Sequence, residues 1–184
     1  MDWLLKLARA IDALNESVGR AVLWLVLVVT LISSGNAVAR YAFSAGSNAW
    51  LELQWYLFGA IFLLGAGYGL KKGAHVRIDL IAGRFSSRVQ AWIDIVGTLA
   101  MLMPASLVIV YFGWRMAYGS YAIGEMSSDP GGLIRWPAKI MVPLGFALLL
   151  LQGLSELVKR IAFLRGRLQW PANGSDDVAH ATTE

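Results

Sequence analysis

The sequence has no cysteine and only two histidines. Without thiols there can be no disulfide, no thiolate metal site, no iron–sulfur cluster and no cysteine nucleophile. His75 and His180 are too few and too far apart for a histidine metal cage or a bis-histidine haem, so neither metal nor cofactor is expected. No glycine-rich phosphate loop is present, which excludes nucleotide hydrolysis by this chain alone. A nucleophile, a base and a charge-holding group do not come together anywhere. His75, beside Arg77 and Asp79, reads as a loop histidine held by hydrogen bonds, and no enzyme is expected. Charge is scarce as well. Asp, Glu, Lys and Arg make up 15% of the chain against 57% apolar residues, where a soluble domain carries about a quarter charged. The net charge of +4 does not point to nucleic acid, because the basic residues flank apolar runs instead of forming one stripe.

What the chain has in abundance is long apolar runs. The clearest is WLELQWYLFGAIFLLGAGYGL at 50–70, in which Glu52 is the only charge. About 18 charge-free residues from Leu53 to Leu70 suffice to cross a bilayer as a helix, and backbone in hydrocarbon must satisfy its own hydrogen bonds. Comparable runs lie at 21–39, 95–114 and 140–155. The spacing predicts an all-α integral membrane protein with four transmembrane helices, at about 21–41, 49–70, 89–117 and 137–159. An amphipathic helix over 2–16 precedes them. Its Leu4, Leu7, Ile11, Leu14 and Val18 recur every three or four residues, with Asp2, Lys6, Arg9, Asp12 and Glu16 off that seam. Such a helix lies at the membrane interface, with Trp3 as an anchor. The first run is longer than a signal-peptide core of about 7–15 residues and follows acids, so it is expected to be retained. The domain reading is one membrane domain over 1–168 and a polar, acidic, disordered cytoplasmic tail over 169–184.

Local signals mark the joints. The short turn 44–48 makes the first two spans antiparallel neighbours, with Ser47 or Asn48 capping the second. Ser87 and Gln90 fit a capping box at the start of the third span. Pro104 should kink that span and Pro143 the fourth. Asp129-Pro130-Gly131-Gly132 fits a type II turn. Ser33/Ala37, Gly35/Ala39 and Gly65/Gly69, with Gly67, let helices approach closely. Arg40 closes the first span and Glu52 opens the second on the same side, so a pair between them is possible. Lys6, Arg9 and Arg20 precede the first span, five basic residues separate the second from the third, and four follow the fourth. This asymmetry puts both termini in the cytoplasm. The span centres carry no charge, and there is no internal repeat, which suits a scaffold better than a transport pathway.

Several segments in order resemble the small membrane subunit of tripartite ATP-independent periplasmic (TRAP) transporters. They are Asn36-Ala37-Val38-Ala39-Arg40-Tyr41, Trp50-Leu51-Glu52-Leu53-Gln54-Trp55-Tyr56, His75-Val76-Arg77-Ile78-Asp79, Gly124-Glu125-Met126-Ser127-Ser128 and PAKIMVPLGFALLLLQ at 137–152. Residues 124–135 are most similar to the branch labelled mannitol/chloroaromatic or 2-oxoacid transport. The resemblance implies a division of labour in the bacterial inner membrane. A periplasmic substrate-binding protein captures an organic acid, a large permease subunit imports it on a sodium gradient, and the small subunit extends the scaffold of the large one. It also implies assembly or docking roles for Arg40, Trp50, Glu52 and Glu125 on the outer side, and for His75 and Asp79 on the cytoplasmic side. Membrane lipids complete the partners. Two other readings stand beside this one: a self-sufficient small homo-oligomeric channel or carrier, and a membrane assembly factor.

Overall fold

The computed structural model describes residues 2–73 and 85–169. Four long helices account for most of them: α1 (Asp2–Phe43), α2 (Asn48–Lys71), α3 (Ser87–Ala122) and α4 (Trp136–Leu164). Each is long and apolar enough to cross a membrane. Among the described residues the only strand-like pairing is an isolated bridge between Met126 and Ile134. The chain is an all-α, multi-pass membrane protein.

α4 is the hub. It packs on α1, α2 and α3, while α2 also packs on α1. The most apolar stretch of α4 is 33% buried against 11% for each of the other three helices, so α4 is the most enclosed of the four. The large apolar side chains of the others face outward, as hydrocarbon solvent permits; Trp24, Phe62 and Met101 are 71%, 81% and 74% exposed. Helix contacts are set by glycines, because small residues let backbones close up where lipid tails supply no hydrophobic drive. A Cβ on Gly145 of α4 would stand 2.6 Å from the Leu63 carbonyl oxygen of α2. One on Gly153 would stand 2.7 Å from Leu102 of α3, and one on Gly113 of α3 would stand 3.2 Å from Pro143 of α4. Among the predicted small-residue pairs, a Cβ on Gly35 or Gly69 would meet nothing within 4 Å among the described residues, whereas Gly67 lies against Asn15.

The amphipathic segment is not a separate helix. It runs unbroken into the first span as the 42 residues of α1, about 63 Å at 1.5 Å per residue, twice the hydrocarbon thickness. Its buried face meets the leucine seam only at Ile11. Ala8, Ile11, Asp12, Asn15 and Gly19 are buried, whereas Leu7 and Leu14 are 49% and 45% exposed. The face turned toward α2 and α4 is small and polar because those helices offer polar partners there.

Other local expectations resolve in detail. Ser47 begins α2 without a side-chain cap bond, and Asn48 reaches the far loop instead. α3 starts after Ser86 with no capping box; the Gln90 amide donates to the Phe85 carbonyl at 2.9 Å. The distortion expected at Pro104 is a π-turn over Thr98–Leu102, since proline has no N–H for the carbonyl four residues before it. At 129–132 the Gly132 N–H donates to the Asp129 carbonyl at 3.0 Å and Gly131 has φ 72°, as a type II turn demands.

Candidate functional site

Two polar clusters, one at each end of the bundle, hold nearly all the interhelical polar contacts. The outer one is built on Glu52, in the first turns of α2. The segment 123–135 between α3 and α4 folds back on itself: the Ser127 N–H donates to the Leu133 carbonyl at 3.0 Å and the Arg135 N–H to the Glu125 carbonyl at 2.9 Å. That fold turns a backbone N–H and a hydroxyl toward α2. Glu52 is 2% exposed and accepts from the Leu133 N–H at 2.6 Å and from the Ser127 hydroxyl. Arg135 donates to the Ser127 oxygen at 3.3 Å and lies over the Trp55 ring at 5.7 Å. The Tyr56 hydroxyl donates to the Ile134 carbonyl at 3.2 Å, and the Asn48 amide to the Pro130 carbonyl at 2.9 Å. A side chain on Gly132 would collide with Ser127 and stand 2.8 Å from Glu52 Oε1. A carboxylate without a backbone donor or cation could not stay buried here.

Glu125 belongs to the same loop and forms an ion pair with Lys139 of α4. The Lys139 ammonium bonded to it holds its carboxyl below the usual carboxylate range. Trp50 is half-exposed at the start of α2, and Arg40 is exposed near the end of α1. The suggested Arg40–Glu52 pair does not form; Glu52 turns to the 123–135 loop instead. His75 and Asp79 lie outside the described residues.

The inner cluster was not anticipated from the sequence. Asp12 and Asn15, three residues apart on α1, meet Gln152, Ser155 and Lys159 on α4. The Gln152 amide donates to Asp12 Oδ1 at 2.8 Å, the Ser155 hydroxyl donates to the same oxygen at 2.7 Å, and Lys159 pairs with Asp12 Oδ2 at 2.9 Å. Asn15 donates to Gln152 Oε1 at 3.0 Å. Lys71, at the end of α2, reaches Glu16 at 2.6 Å and the Asp12 carbonyl at 3.3 Å. Asn15, Gln152 and Ser155 are fully buried. Arg160 of α4 pairs with Asp94 of α3 at 3.1 Å, so all four helices are tied at this end. A signal was present on α4 as Gln152 and Ser155, polar residues three apart at the end of an otherwise apolar stretch, whereas Asp12 and Asn15 lie among the charged residues of the amphipathic segment.

Chemically, both clusters are closed on themselves except at Asn15 Oδ1, which is buried without a hydrogen-bond partner. Their carboxylates are answered by cations, hydroxyls and N–H groups, which makes them clasps. Among the described residues no group of three or more His, Asp or Glu side chains could hold a metal ion.

The family model for "Tripartite ATP-independent periplasmic transporters, DctQ component" matches residues 29–163, from the middle of α1 nearly to the end of α4. The chain is 32% identical over 140 residues to the C4-dicarboxylate TRAP transporter small permease protein DctQ of Pseudomonas aeruginosa, a match covering 75% of this chain and 64% of that protein. It is 21% identical over 113 residues to the protein of the same description from Vibrio cholerae, covering 61% of this chain and 47% of that one. The matches thus span less than two thirds of either curated relative. Asp12 and Asn15 precede the family match, whereas the whole outer clasp lies inside it.

Proposed function

The chain belongs to the DctQ family of tripartite ATP-independent periplasmic transporter components, a family of membrane transport subunits and not of enzymes, and from that premise we propose that it is the small permease subunit of a secondary transporter importing organic acids. The names of the two relatives favour C4-dicarboxylates as the substrate class over the mannitol, chloroaromatic or 2-oxoacid branch. In this reading a periplasmic binding protein delivers the acid, and a large permease subunit carries it inward by symport with sodium. The present chain is the static wall on which the large subunit is seated. Residues 1–168 form the membrane domain and 169–184 a cytoplasmic tail. Both termini face the cytoplasm of a bacterial inner membrane, as the distribution of basic residues favours. Arg40, Trp50 and Glu125 would then dock partners on the periplasmic side and His75 and Asp79 on the other. Glu52 would act by shaping the outer loop.

The observation that carries this reading is where the polar groups lie. Among the described residues the buried carboxylates gather in two clasps at the helix ends, where Asn15 Oδ1 alone of the inner amide oxygens lacks a hydrogen-bond partner. The contacts between the clasps are mainly glycine against backbone or apolar side chain, with Ser106 a buried hydroxyl near mid-span and the Gln54 amide nitrogen buried without a partner. A carrier's own pathway needs polar ligands near the bilayer midplane, and a wall does not.

The test is co-purification in mild detergent, followed by reconstitution with radiolabelled succinate. A larger polytopic partner should be recovered in roughly equal amount. Sodium-driven uptake should require the partner, the binding protein and this chain together. Solute flux through this chain alone in liposomes would overturn the reading in favour of a self-sufficient carrier. Unimpaired uptake after its deletion would leave it an assembly factor.

A further inference from the structure

Between α3 and α4, on the side of the chain termini, runs an open groove of about 620 Å³. Its walls are Gly97, Thr98, Met101 and Ala105 of α3 with Phe146 and Leu149 of α4. The π-turn Thr98–Leu102 forms part of its wall, where Thr98 and Leu102 also lie closest to Gly153 of α4. The lining runs from Ile93 to Ser106, about 20 Å along the helix axis.

The two ends of the groove identify what fits it. One end is Asp94, held in its ion pair with Arg160, just before the charge-free run of α3 begins at Ile95. That is headgroup level. The other end is Ser106, next to the midpoint of the same run. The groove therefore covers one leaflet and stops at the bilayer centre, where a half-thickness of hydrocarbon is about 15 Å. A transmembrane helix of a partner would need a contact face through both leaflets, about 30 Å. An acyl chain needs one leaflet, an apolar wall and a polar rim where its headgroup begins. We propose that this groove is a lipid site, which holds one acyl chain of a phospholipid from the leaflet on the side of the termini. Recognition is by the acyl chain, which the apolar lining receives.

Gly97 supplies the test. A Cβ there meets nothing within 4 Å, so Gly97→Leu fills the groove without a clash, and Ala105→Phe fills it farther along. Gly119→Leu, also in open space on α3 but outside the groove, is the control. The full chain, with whatever co-purifies, is stripped of lipid, mixed with palmitoyl-oleoyl phosphatidylethanolamine and examined by native mass spectrometry. The wild type and Gly119→Leu should retain one lipid per chain. Both groove variants should retain it about tenfold less well, as expected for roughly two methylenes left unburied. Equal retention in all four proteins overturns the proposal. So does loss of a membrane-protein partner from the groove variants with lipid retention unchanged, because the groove would then house protein.

Discussion

The inner clasp predicts a measurable coupling between Asn15 and Gln152. Gln152 makes three polar contacts, accepting from Asn15 at 3.0 Å and donating to Asp12 at 2.8 Å and Glu156 at 3.3 Å. Gln152→Met keeps the unbranched shape and removes all three without opening a cavity. Interhelical polar contacts in membranes average about 0.6 kcal/mol, with a ceiling near 1.7; two of the three cross between helices, Glu156 lying on α4 itself, and they give roughly 1 kcal/mol of destabilisation. Asn15→Ala removes the shared contact along with weaker ones to the Ile11 and Leu148 carbonyls at 3.3 and 3.5 Å, for about 1 to 2 kcal/mol. Since one hydrogen bond is common to both changes, the double variant should be less destabilised than the two singles together, by about 0.6 to 1.5 kcal/mol. Reversible unfolding by steric trapping in lipid micelles measures all four corners of the cycle. If the effects simply add, the two amides do not act on each other. The buried face of α1 would then be held through Asp12 and by packing.

Three further outcomes follow from the geometry. Glu52→Ala should free the 123–135 loop, raising hydrogen exchange at the Leu133 amide by about tenfold, while Glu52→Gln, which keeps one acceptor, should raise it less; unchanged exchange would mean that the loop holds itself. Gly145→Leu should push α2 from α4 and cost about 1 to 3 kcal/mol, whereas Gly59→Leu, which meets nothing within 4 Å, should leave the melting temperature in place. The Glu125–Lys139 pair contributes fully above the ordinary glutamate value of 4.5 and fades as pH falls through the lowered value of the folded chain. The Glu125 carboxyl, followed by NMR, should therefore titrate below 4.5 in the wild type and move back up in Lys139→Met.

The features legible in the sequence are local ones. Four charge-free runs gave four helices, Asp129-Pro130-Gly131-Gly132 gave its turn, and Pro104 marked a distortion one turn away. The clasps depend on partners far along the chain; Asn15 and Gln152 are 137 residues apart. Asp12 was misplaced for a more instructive reason. The amphipathic rule takes the apolar seam as the buried face, which holds where water is the alternative. Beside a bilayer the outside is apolar too. Leu7 and Leu14 can face outward, while Asp12 and Asn15 must turn in toward Gln152 and Ser155. Arg40 and Glu52 misled in another way. A short turn brings the helix ends near, but Glu52 follows the N–H of Leu133 in a loop 81 residues on.

The distribution of glycines and clasps also constrains what the outer surface can be for. The polar side chains at the two ends fix which helices are neighbours and at what height, since each buried donor or acceptor tolerates little displacement. Gly145 against Leu63 between the ends, and Gly153 against Leu102 at the height of the inner clasp, fix the distance between helices. Neither device uses Trp24, Phe62 or Met101, which are left outside without loss to the fold. A subunit whose internal order needs none of its greasy surface can present that surface to lipid or to another protein without rearranging. This is the property required of a wall against which a moving neighbour works. A chain that carried solute itself would instead have to break and remake at least one clasp in each cycle.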